Sequence, residues 1–251
     1  MTLTNNYALP DPVVRALSFD DYDQVGDISI TGLLKPVQQA SLEILHADHL
    51  PSEDVSERVW RLYGSAAHEF LYRSRDKDSV IAEKRLTMDV DGWTISGKPD
   101  TYDTSTQMLS DFKTTSVWSV VYEPKGRQEW HEQLNLYRLL LEANGYPVKA
   151  LQVIAILRDW AKRDTKRADY PPIPIVCIDI PLWSKEDAEA FLAERVAAHK
   201  TARDTLAWDG CTDDERWLNK KTGVYARCEG YCRAAPFCTQ FAAATGQAVS
   251  A

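Results

Sequence analysis

Two aspartates and a lysine are the residues of this sequence best suited to chemistry. Asp111 and Lys113 are two residues apart on a predicted strand, so their side chains share a face, while the side chain of Phe112 points the other way into the core. Asp100 and Asp111 are about equally far from a turn between their two strands, so we expect them to face each other. Two close buried carboxylates repel unless a cation lies between them, and oxygen ligands suit Mg²⁺ or Mn²⁺. The pattern predicts a divalent-metal site, although an Asp-x-Lys pair alone can equally be an exposed ion pair.

The elements that must position these residues follow from the period of the apolar positions. The predicted elements are a helix over Lys35–Leu50, a helix capped by Ser52, strands over Leu86–Val90, Trp93–Tyr102 and Met108–Lys113, a helix over Arg127–Asn144, strands over Ala150–Leu157 and Ile173–Ile180, and a helix capped by Ser184. Asp91-Gly92 is a strong hairpin signal between the first two strands. The almost entirely apolar run Ala150–Leu157 predicts a strand buried on both faces. This order predicts an α/β fold with a mixed central sheet flanked by helices.

His68 lies on the helix that follows Ser52. The apolar positions of that helix recur every three or four residues and predict one buried stripe: Val55, Val59, Leu62, Ala66 and Phe70. His68 is off this stripe, and Gly64 lies one turn before it on the same side. His68 is therefore a candidate metal ligand, with a half-buried histidine bonded to the backbone as the alternative. Glu69 projects about 100° away around the helix and is a less favoured ligand.

The order of four short motifs resembles a known family. The motifs are Gly64-Ser65-Ala66-Ala67-His68 on a helix, Gly97-Lys98-Pro99-Asp100 on a strand, Asp111-Phe112-Lys113 on the next strand, and Gln133-Leu134-Asn135-Leu136-Tyr137 on the following helix. This arrangement resembles the RecB-like branch of the PD-(D/E)XK nucleases over roughly Ser52 to Leu157. Each motif alone is weak evidence, and their joint order and spacing carry the resemblance.

The resemblance implies a restriction-endonuclease-like core and a role for each matched residue. It implies that the catalytic metal is bound by His68, Asp100, Asp111 and the backbone carbonyl of Phe112. Lys113 would orient or help deprotonate the attacking water and offset charge on the phosphate. Gln133 and Tyr137 would position DNA or the catalytic residues, and because Tyr137 also lies on the apolar face of its helix, a core tyrosine is the alternative.

The C-terminal region carries four of the five cysteines: Cys211, Cys228, Cys232 and Cys238. Clustered cysteines in a reducing compartment more often bind metal than form disulfides. Four thiolates can hold Zn²⁺ or a [4Fe–4S] cluster, and the spacing does not choose between them. The tail further resembles that of CRISPR-associated and phage-encoded exonucleases, which implies the iron–sulfur cluster. Relatives often supply the first cysteine ligand from before the first motif, whereas this chain has none there, so Cys211 must substitute. Cys177, in mid-strand, is expected in the core.

The loop between Arg158 and Arg167 is a candidate DNA contact. Trp160 could stack on a base, and Lys162 and Arg163 could hold phosphates. Three aspartates dilute the charge of this loop, so an exposed connector is an equal alternative.

The bulk composition sets the limits of these hypotheses. The chain has 251 residues, 44% hydrophobic and 26% charged, and a net charge of −8, so any DNA contacts must be concentrated in one groove. We expect an N-terminal arm over 1–30, a PD-(D/E)XK nuclease core over 31–208 and a cysteine-rich metal-binding tail, packed on the core, over 209–251. No apolar run is long enough to span a bilayer, and no secretory signal is visible, so we expect a cytoplasmic protein of a bacterial or phage-infected cell.

The sequence therefore predicts a Mg²⁺- or Mn²⁺-dependent deoxyribonuclease. From the resemblance we expect an exonuclease that prefers single-stranded DNA or duplex ends and acts in recombination, repair or processing. A recombination or helicase partner is possible but not identified by the sequence. The alternative is a catalytically silent DNA-binding protein, or a zinc-containing scaffold, on the same fold.

Overall fold

The structure is a computed structural model that describes residues 2–20, 25–246 and 248–249. Within these residues the α-helices are α1 (Asp11–Ser18), α2 (Ile30–Leu33), α3 (Val37–Leu45), α4 (Val59–Ser74), α5 (Val117–Tyr122), α6 (Gln128–Ala143), α7 (Lys185–Thr205), α8 (Ala226–Gly230) and α9 (Thr239–Thr245). The strands are β1 (Leu3–Thr4), β2 (Ile28–Ser29), β3 (Glu53–Asp54), β4 (Val80–Ala82), β5 (Leu86–Val90), β6 (Trp93–Gly97), β7 (Thr101–Asp103), β8 (Met108–Thr115), β9 (Ala150–Leu157), β10 (Ile175–Ile180), β11 (Leu218–Asn219) and β12 (Val224–Tyr225). Among the residues described, none of these helices is long and apolar enough to cross a membrane.

The chain forms two compact units, each assembled from separate stretches. Unit 1 comprises Met1–Ser18, Lys35–Glu57 and Glu194–Ala251, and unit 2 comprises Phe19–Leu34 and Arg58–Ala193. In unit 1, β1 pairs in parallel with β3, and the backbone N–H of Cys211 donates to the side chain of Gln38, so early stretches of the chain join the tail. The compact units thus differ from the three consecutive segments expected from the sequence.

Unit 2 contains a mixed sheet with helices on both faces. The strand order is β10-β9-β8-β7-β4, in which β8 and β9 are parallel and the other neighbours antiparallel. Helix α4 contacts β8, and α6 contacts β8, β9 and β10. On β8, Phe112 lies against α4, whereas Asp111 and Lys113 face α6. The predicted mixed α/β fold with flanking helices is confirmed.

The predicted strand Trp93–Tyr102 is wrong as a single element. The chain leaves β6 at Gly97 and enters β7 at Thr101, and β6 belongs to a separate three-stranded sheet of order β2-β6-β5. Pro99 lacks a backbone N–H for a strand ladder, which fits a break at this point. The preceding hairpin is as predicted, because Asp91 and Gly92 both have positive φ, the requirement of a tight two-residue turn.

The predicted buried stripe of α4 is also wrong. Val59, Leu62, Ala66 and Phe70 are exposed, and Phe70 is 72% exposed. The opposite side of the helix faces the sheet, where Gly64 lies so close that an added Cβ would be 3.3 Å from Oγ1 of Thr114. Small residues on that side let the helix approach β8, and the apolar stripe is left facing outward.

Other expectations about individual segments need correction. The region expected to be a loosely structured arm contains α1 and two short strands, although residues 1 and 21–24 lie outside the described residues. Ser52 does not cap the next helix, because α4 begins only at Val59. Strand β9 alternates between buried and half-buried positions, so only one of its faces is fully covered.

Cys177 and Phe112 also differ from their expected places. Cys177 is exposed, since β10 is an edge strand and only the face with Ile178 and Ile180 is buried. Phe112 is half-buried, with its ring edge-on to that of His68, rather than deep in the core.

Candidate functional site

The candidate site lies in unit 2, where β7 begins beside β8. These strands pair with Thr101 opposite Ser110 and Tyr102 opposite Leu109, so one further step along the same register places Asp100 beside Asp111. The backbone N–H of Phe112 donates to Oδ2 of Asp100 at 2.7 Å. The expectation that the two aspartates lie together is confirmed.

Three side chains gather into a group that could hold a metal ion. The ligand atoms of His68, Glu83 and Asp100 all lie within 4.8 Å of one another. Nδ1 of His68 is 3.6 Å from Oε1 of Glu83 and 3.5 Å from Oδ1 of Asp100, and its Nε2 is 3.1 Å from the carbonyl oxygen of Phe112. Three of the four ligands implied by the resemblance therefore meet around this imidazole.

The sequence prediction missed Glu83. This residue follows β4, whose last residue, Ala82, pairs with Thr101, so the pairing of β4 with β7 brings Glu83 to Asp100. Its φ of 53° lies in the left-handed region, which is uncommon for a residue with a side chain. An acidic residue at the end of a strand was the available signal, but its place depends on a strand pairing that the sequence pattern did not predict.

The charges of the group are strongly coupled. Burial, together with the nearby carboxylate of Asp111, raises the pKa of Asp100 from 3.8 to about 7. A hydrogen bond with Glu83 raises the pKa of His68 against the effect of burial. Burial alone would raise the pKa of Glu83, but hydrogen bonds with His68 and Lys98 keep it below its ordinary value. A cation bound among these carboxylates would stabilise their charged forms.

Asp111, Lys113 and Gln133 form a second, connected set on the α6 side of the sheet. Nζ of Lys113 is 2.7 Å from Oδ2 of Asp111 and donates to Oε1 of Gln133 at 2.9 Å. Nε2 of Gln133 donates to Oδ1 of Asp111 at 3.3 Å. Asp111 is only 3% exposed. Despite the short distance to Lys113, Oδ2 of Asp111 has no partner in hydrogen-bond geometry among the described residues.

Tyr137 and Gly97 pack together beneath this set. Tyr137 is buried, and burial together with the charge of Asp111 raises the pKa of its hydroxyl. That hydroxyl lies close to Gln133 and to the backbone of Lys98, which both act to lower its pKa. A Cβ on Gly97 would lie 2.7 Å from a Tyr137 ring carbon, so only glycine allows α6 this close. Tyr137 is thus a buried core residue next to Gln133, and its role in positioning DNA or the catalytic residues stays a prediction.

An open cleft of about 500 Å³ gives access to the metal-ligand group. The cleft is lined by residues of α4, β4 and the segment between β6 and β7: Gly64, Ser65, His68, Glu69, Tyr72, Glu83 and Lys98. Glu69 is paired with Arg73 on its own helix and lies outside the metal-ligand group. The cleft can thus admit a substrate group to one side of His68 and Glu83.

The four C-terminal cysteines converge within unit 1. They line one small cavity together with Gln38, Gln39, Leu42, Arg216, Ala235, Gln240 and Phe241. The cavity volume of about 20 Å³ is the space of a single water molecule or ion. Cys232 and Cys238 belong to an apolar cluster that also contains Leu42 and Phe237. The tail thus packs on α3, the helix before the first motif.

The sulfur atoms are farther apart than one zinc ion requires. Four thiolates at about 2.3 Å from a tetrahedral Zn²⁺ lie about 3.8 Å from each other. Among the described residues, no three cysteines have sulfur atoms all within 4.8 Å. Burial and the neighbouring acid Glu215 raise the pKa of Cys211 to about 12, and burial raises that of Cys232 to about 11, so these thiols need a cation to become thiolates near neutral pH.

The loop expected to contact DNA is anchored to the protein. Trp160 is half-buried, and its indole N–H donates to the carbonyl of Pro171 at 2.9 Å. Asp159 accepts hydrogen bonds from Ser116 and from the backbone of Val117 at the start of α5. Lys162 and Arg163 are exposed on a short 3₁₀ helix, Lys162–Lys166. Their role in DNA binding stays a prediction, as does that of Trp160.

Comparisons with known proteins identify a fold rather than an activity. No family model matches the sequence, and no curated protein matches it. The structure is similar to the crystal structure of SSO0001, with 16% sequence identity, a TM-score of 0.52, and coverage of 90% of this chain and 92% of that one. At this identity the similarity shows a shared fold alone.

Two further solved structures are of an alkaline exonuclease, LHK-Exo from Laribacter hongkongensis. The first has a TM-score of 0.37 and 13% identity, and covers 68% of this chain and 82% of that chain. The second, in complex with dAMP, has a TM-score of 0.40 and 13% identity, and covers 71% of this chain and 93% of that chain. These scores are too low to assign an activity to this chain.

Proposed function

We propose that this chain is a metal-dependent deoxyribonuclease whose active site comprises the two neighbouring sets of residues at the junction of β7 and β8. The proposal rests on one observation above all. A histidine and two carboxylates meet beside an open cleft that His68 and Glu83 line, and a set of buried Asp111 with half-buried Lys113 and Gln133 lies next to them. Metal ligands next to a lysine are the parts that hydrolysis of a phosphodiester requires.

The residues present fit a divalent ion. Asp100 is nearly buried and lies next to a second buried carboxylate, that of Asp111, which is paired with Lys113. Two such acids at close range are stabilised by a cation. We assign His68, Glu83, Asp100 and Asp111 as side-chain ligands, with the Phe112 carbonyl beside them, and the oxygen-rich set favours Mg²⁺ or Mn²⁺. When bound, the ion supplies positive charge to the phosphate and lowers the pKa of a nearby water.

Lys113 is the residue that acts on the water. Its ammonium is held between Asp111 and Gln133, and it is only 25% exposed, so its direction is fixed. It orients the attacking water and offsets negative charge that develops on the phosphate. Gln133 hydrogen-bonds both Asp111 and Lys113 and so sets their positions, and Tyr137 lies beside Gln133. In the resulting hydrolysis water attacks phosphorus, and the P–O bond to the leaving sugar oxygen breaks.

For the tail we propose a [4Fe–4S] cluster bound by Cys211, Cys228, Cys232 and Cys238. The convergence of the four cysteines on one cavity and the resemblance of the tail support this choice, whereas the small volume of that cavity favours a single ion, so Zn²⁺ is the alternative. Protein purified without oxygen should contain about four iron and four sulfide per chain. A content of one zinc per chain without sulfide would show that the same four cysteines bind Zn²⁺ instead of the cluster.

The substrate preference is tested with defined DNAs. We propose an exonuclease that prefers single strands, acting in bacterial or phage DNA recombination, repair or processing, with Trp160, Lys162 and Arg163 as further DNA contacts. Pure protein is incubated with end-labelled single-stranded, duplex and circular DNA in Mg²⁺ or Mn²⁺. Release of short products from linear single strands, with circles intact, supports an exonuclease. Cleavage of circles would show an endonuclease, and binding without any cleavage would favour a catalytically silent DNA-binding protein.

A further inference from the structure

The cleft beside the metal-ligand group carries a cation that the proposed catalytic mechanism does not use. Among the described residues that line the cleft, Lys98 alone has a permanent positive charge. Its side chain is 42% exposed, compared with 25% for Lys113, which does not line the cleft. A phosphate that enters the cleft therefore comes within reach of the ammonium of Lys98.

Glu83 connects Lys98 to the metal-ligand group. Oε2 of Glu83 is 2.8 Å from Nζ of Lys98, while Oε1 faces the imidazole of His68. One carboxylate thus contacts both a candidate metal ligand and the lysine. This places the ammonium next to the position where the ion, and hence a phosphate bound to it, is expected.

The backbone that carries Lys98 is held in place from three sides. Gly97 lies so close to α6 that an added Cβ would be 2.6 Å from a side-chain carbon of that helix. Pro99 follows with its ring-restricted φ. The backbone of Lys98 also lies next to the buried hydroxyl of Tyr137. A side chain on such a fixed support can bind a phosphate with little loss of backbone entropy.

The negative charge of the cleft makes such a cation necessary. Glu69 and Glu83 both line the cleft, and the chain has a net charge of −8. Arg73 pairs with Glu69, whereas the carboxylate of Glu83 would repel a phosphodiester unless positive charge lies beside it. Lys98 supplies that charge at the cleft, in addition to the metal ion.

We infer that Lys98 is a DNA-binding residue whose ammonium contacts a backbone phosphate in the cleft, with Glu83 holding it next to the metal site. The inference rests on the proposed nuclease function and names the residue that positions its substrate. A lysine that contacts a phosphate adds affinity without sequence preference and steepens the dependence of binding on salt.

The experiment measures DNA binding rather than turnover. Fluorescence anisotropy of a labelled single-stranded oligothymidylate is recorded in Ca²⁺, which should support binding with little cleavage, over a series of salt concentrations. Lys98→Gln should weaken binding about five- to tenfold near 0.1 M salt and reduce the log–log salt slope by about 0.7, the contribution of one phosphate contact on a single strand. Lys98→Arg should restore most of the slope.

Lys84→Gln is the matched control. Lys84 follows Glu83 directly and is also exposed, but its ammonium donates to Tyr146 and does not line the cleft, so this variant should bind as the unmodified protein does. Mn²⁺ affinity is measured on the same proteins. An unchanged salt slope in Lys98→Gln, with Mn²⁺ binding weakened, would mean that Lys98 only positions Glu83 and would overturn the inference. Failure of the unmodified protein to bind or cleave DNA would instead contradict the proposed function itself.

Discussion

Replacing Asp100 by asparagine should stabilise the metal-free protein at alkaline pH. The pKa of Asp100 rises from its ordinary 3.8 to about 7 because the carboxyl is buried beside Asp111. One pKa unit corresponds to about 1.4 kcal/mol. The charged Asp100 carboxylate therefore lowers the free energy of unfolding at alkaline pH by roughly 4 kcal/mol. Because the folded-state pKa lies above the unfolded one, the contribution of this group is favourable at low pH and is lost as pH rises through about 7. Asparagine removes the charge and keeps an oxygen for the N–H of Phe112.

The assay is urea unfolding in excess chelator at about pH 5 and about pH 8. The free energy of unfolding of Asp100→Asn, relative to the unmodified protein, should rise by roughly 3 kcal/mol between these two values. Mn²⁺ should then stabilise the unmodified protein at pH 8 but not the variant, since a ligand that binds only the folded state raises stability. Equal pH dependence of the two proteins would refute the claim that the charged form of Asp100 destabilises the metal-free protein.

Asp103→Asn is the matched control on the same strand. Asp103 is half-buried and accepts hydrogen bonds from Ser105 and Thr106, which hold its pKa below the ordinary value. Its contribution to stability is therefore present at neutral pH and lost on acidification. This variant should be less stable than the unmodified protein at about pH 8, and the difference should shrink towards acid pH. The expected change at about pH 8 is thus opposite in sign to that of Asp100→Asn.

Five further substitutions test the remaining assignments. Lys113→Ala should reduce single-turnover DNA cleavage by on the order of 10³-fold without change in the circular dichroism spectrum, and near-normal cleavage would remove Lys113 from the mechanism. His68→Ala should weaken Mn²⁺ binding in a calorimetric titration more than it weakens DNA binding, and an unchanged metal titration would return His68 to a structural role. Gly97→Ala should lower the free energy of unfolding by about 1–3 kcal/mol because its Cβ would collide with α6, and an unaffected unfolding curve would show that α6 can move away. Cys232→Ala should abolish metal binding in the tail by elemental analysis, whereas Cys177→Ala, at an exposed position of β10, should leave the metal content unchanged.

Local sequence signals predicted the centre of the candidate site. The placement of Asp100 beside Asp111 depended only on the symmetry of one short turn, and the register of β7 and β8 agrees with it. Helix α6 was also predictable from local signals, because its apolar face is continuous and the helix ends at Asn144, before Gly145. Such elements are predictable because their period and their end signals lie within a few residues.

Features that depend on distant contacts were not predictable in this way. Glu83 reaches the metal-ligand group only because β4 pairs with β7, at the edge of the sheet. The apolar stripe of α4 indicated one buried face, yet the face with Gly64 is the one against β8, because small residues permit the closer approach. Cys177 is exposed because β10 is at an edge, which no pattern within the strand reveals. Periodicity shows which residues share a face, but not which face the rest of the chain covers.

The central claim, that the set around His68 and Lys113 performs metal-dependent DNA hydrolysis, is tested most directly by removing and restoring the metal. End-labelled single-stranded DNA is incubated with protein that has been treated with a chelator, and Mn²⁺ is then added in steps, in parallel for the unmodified protein and for Asp111→Asn. We predict no cleavage in chelator and full recovery of cleavage with Mn²⁺ in the unmodified protein. The variant should remain folded but should not recover cleavage. Undiminished cleavage in excess chelator, or equal recovery in the variant, would contradict the account.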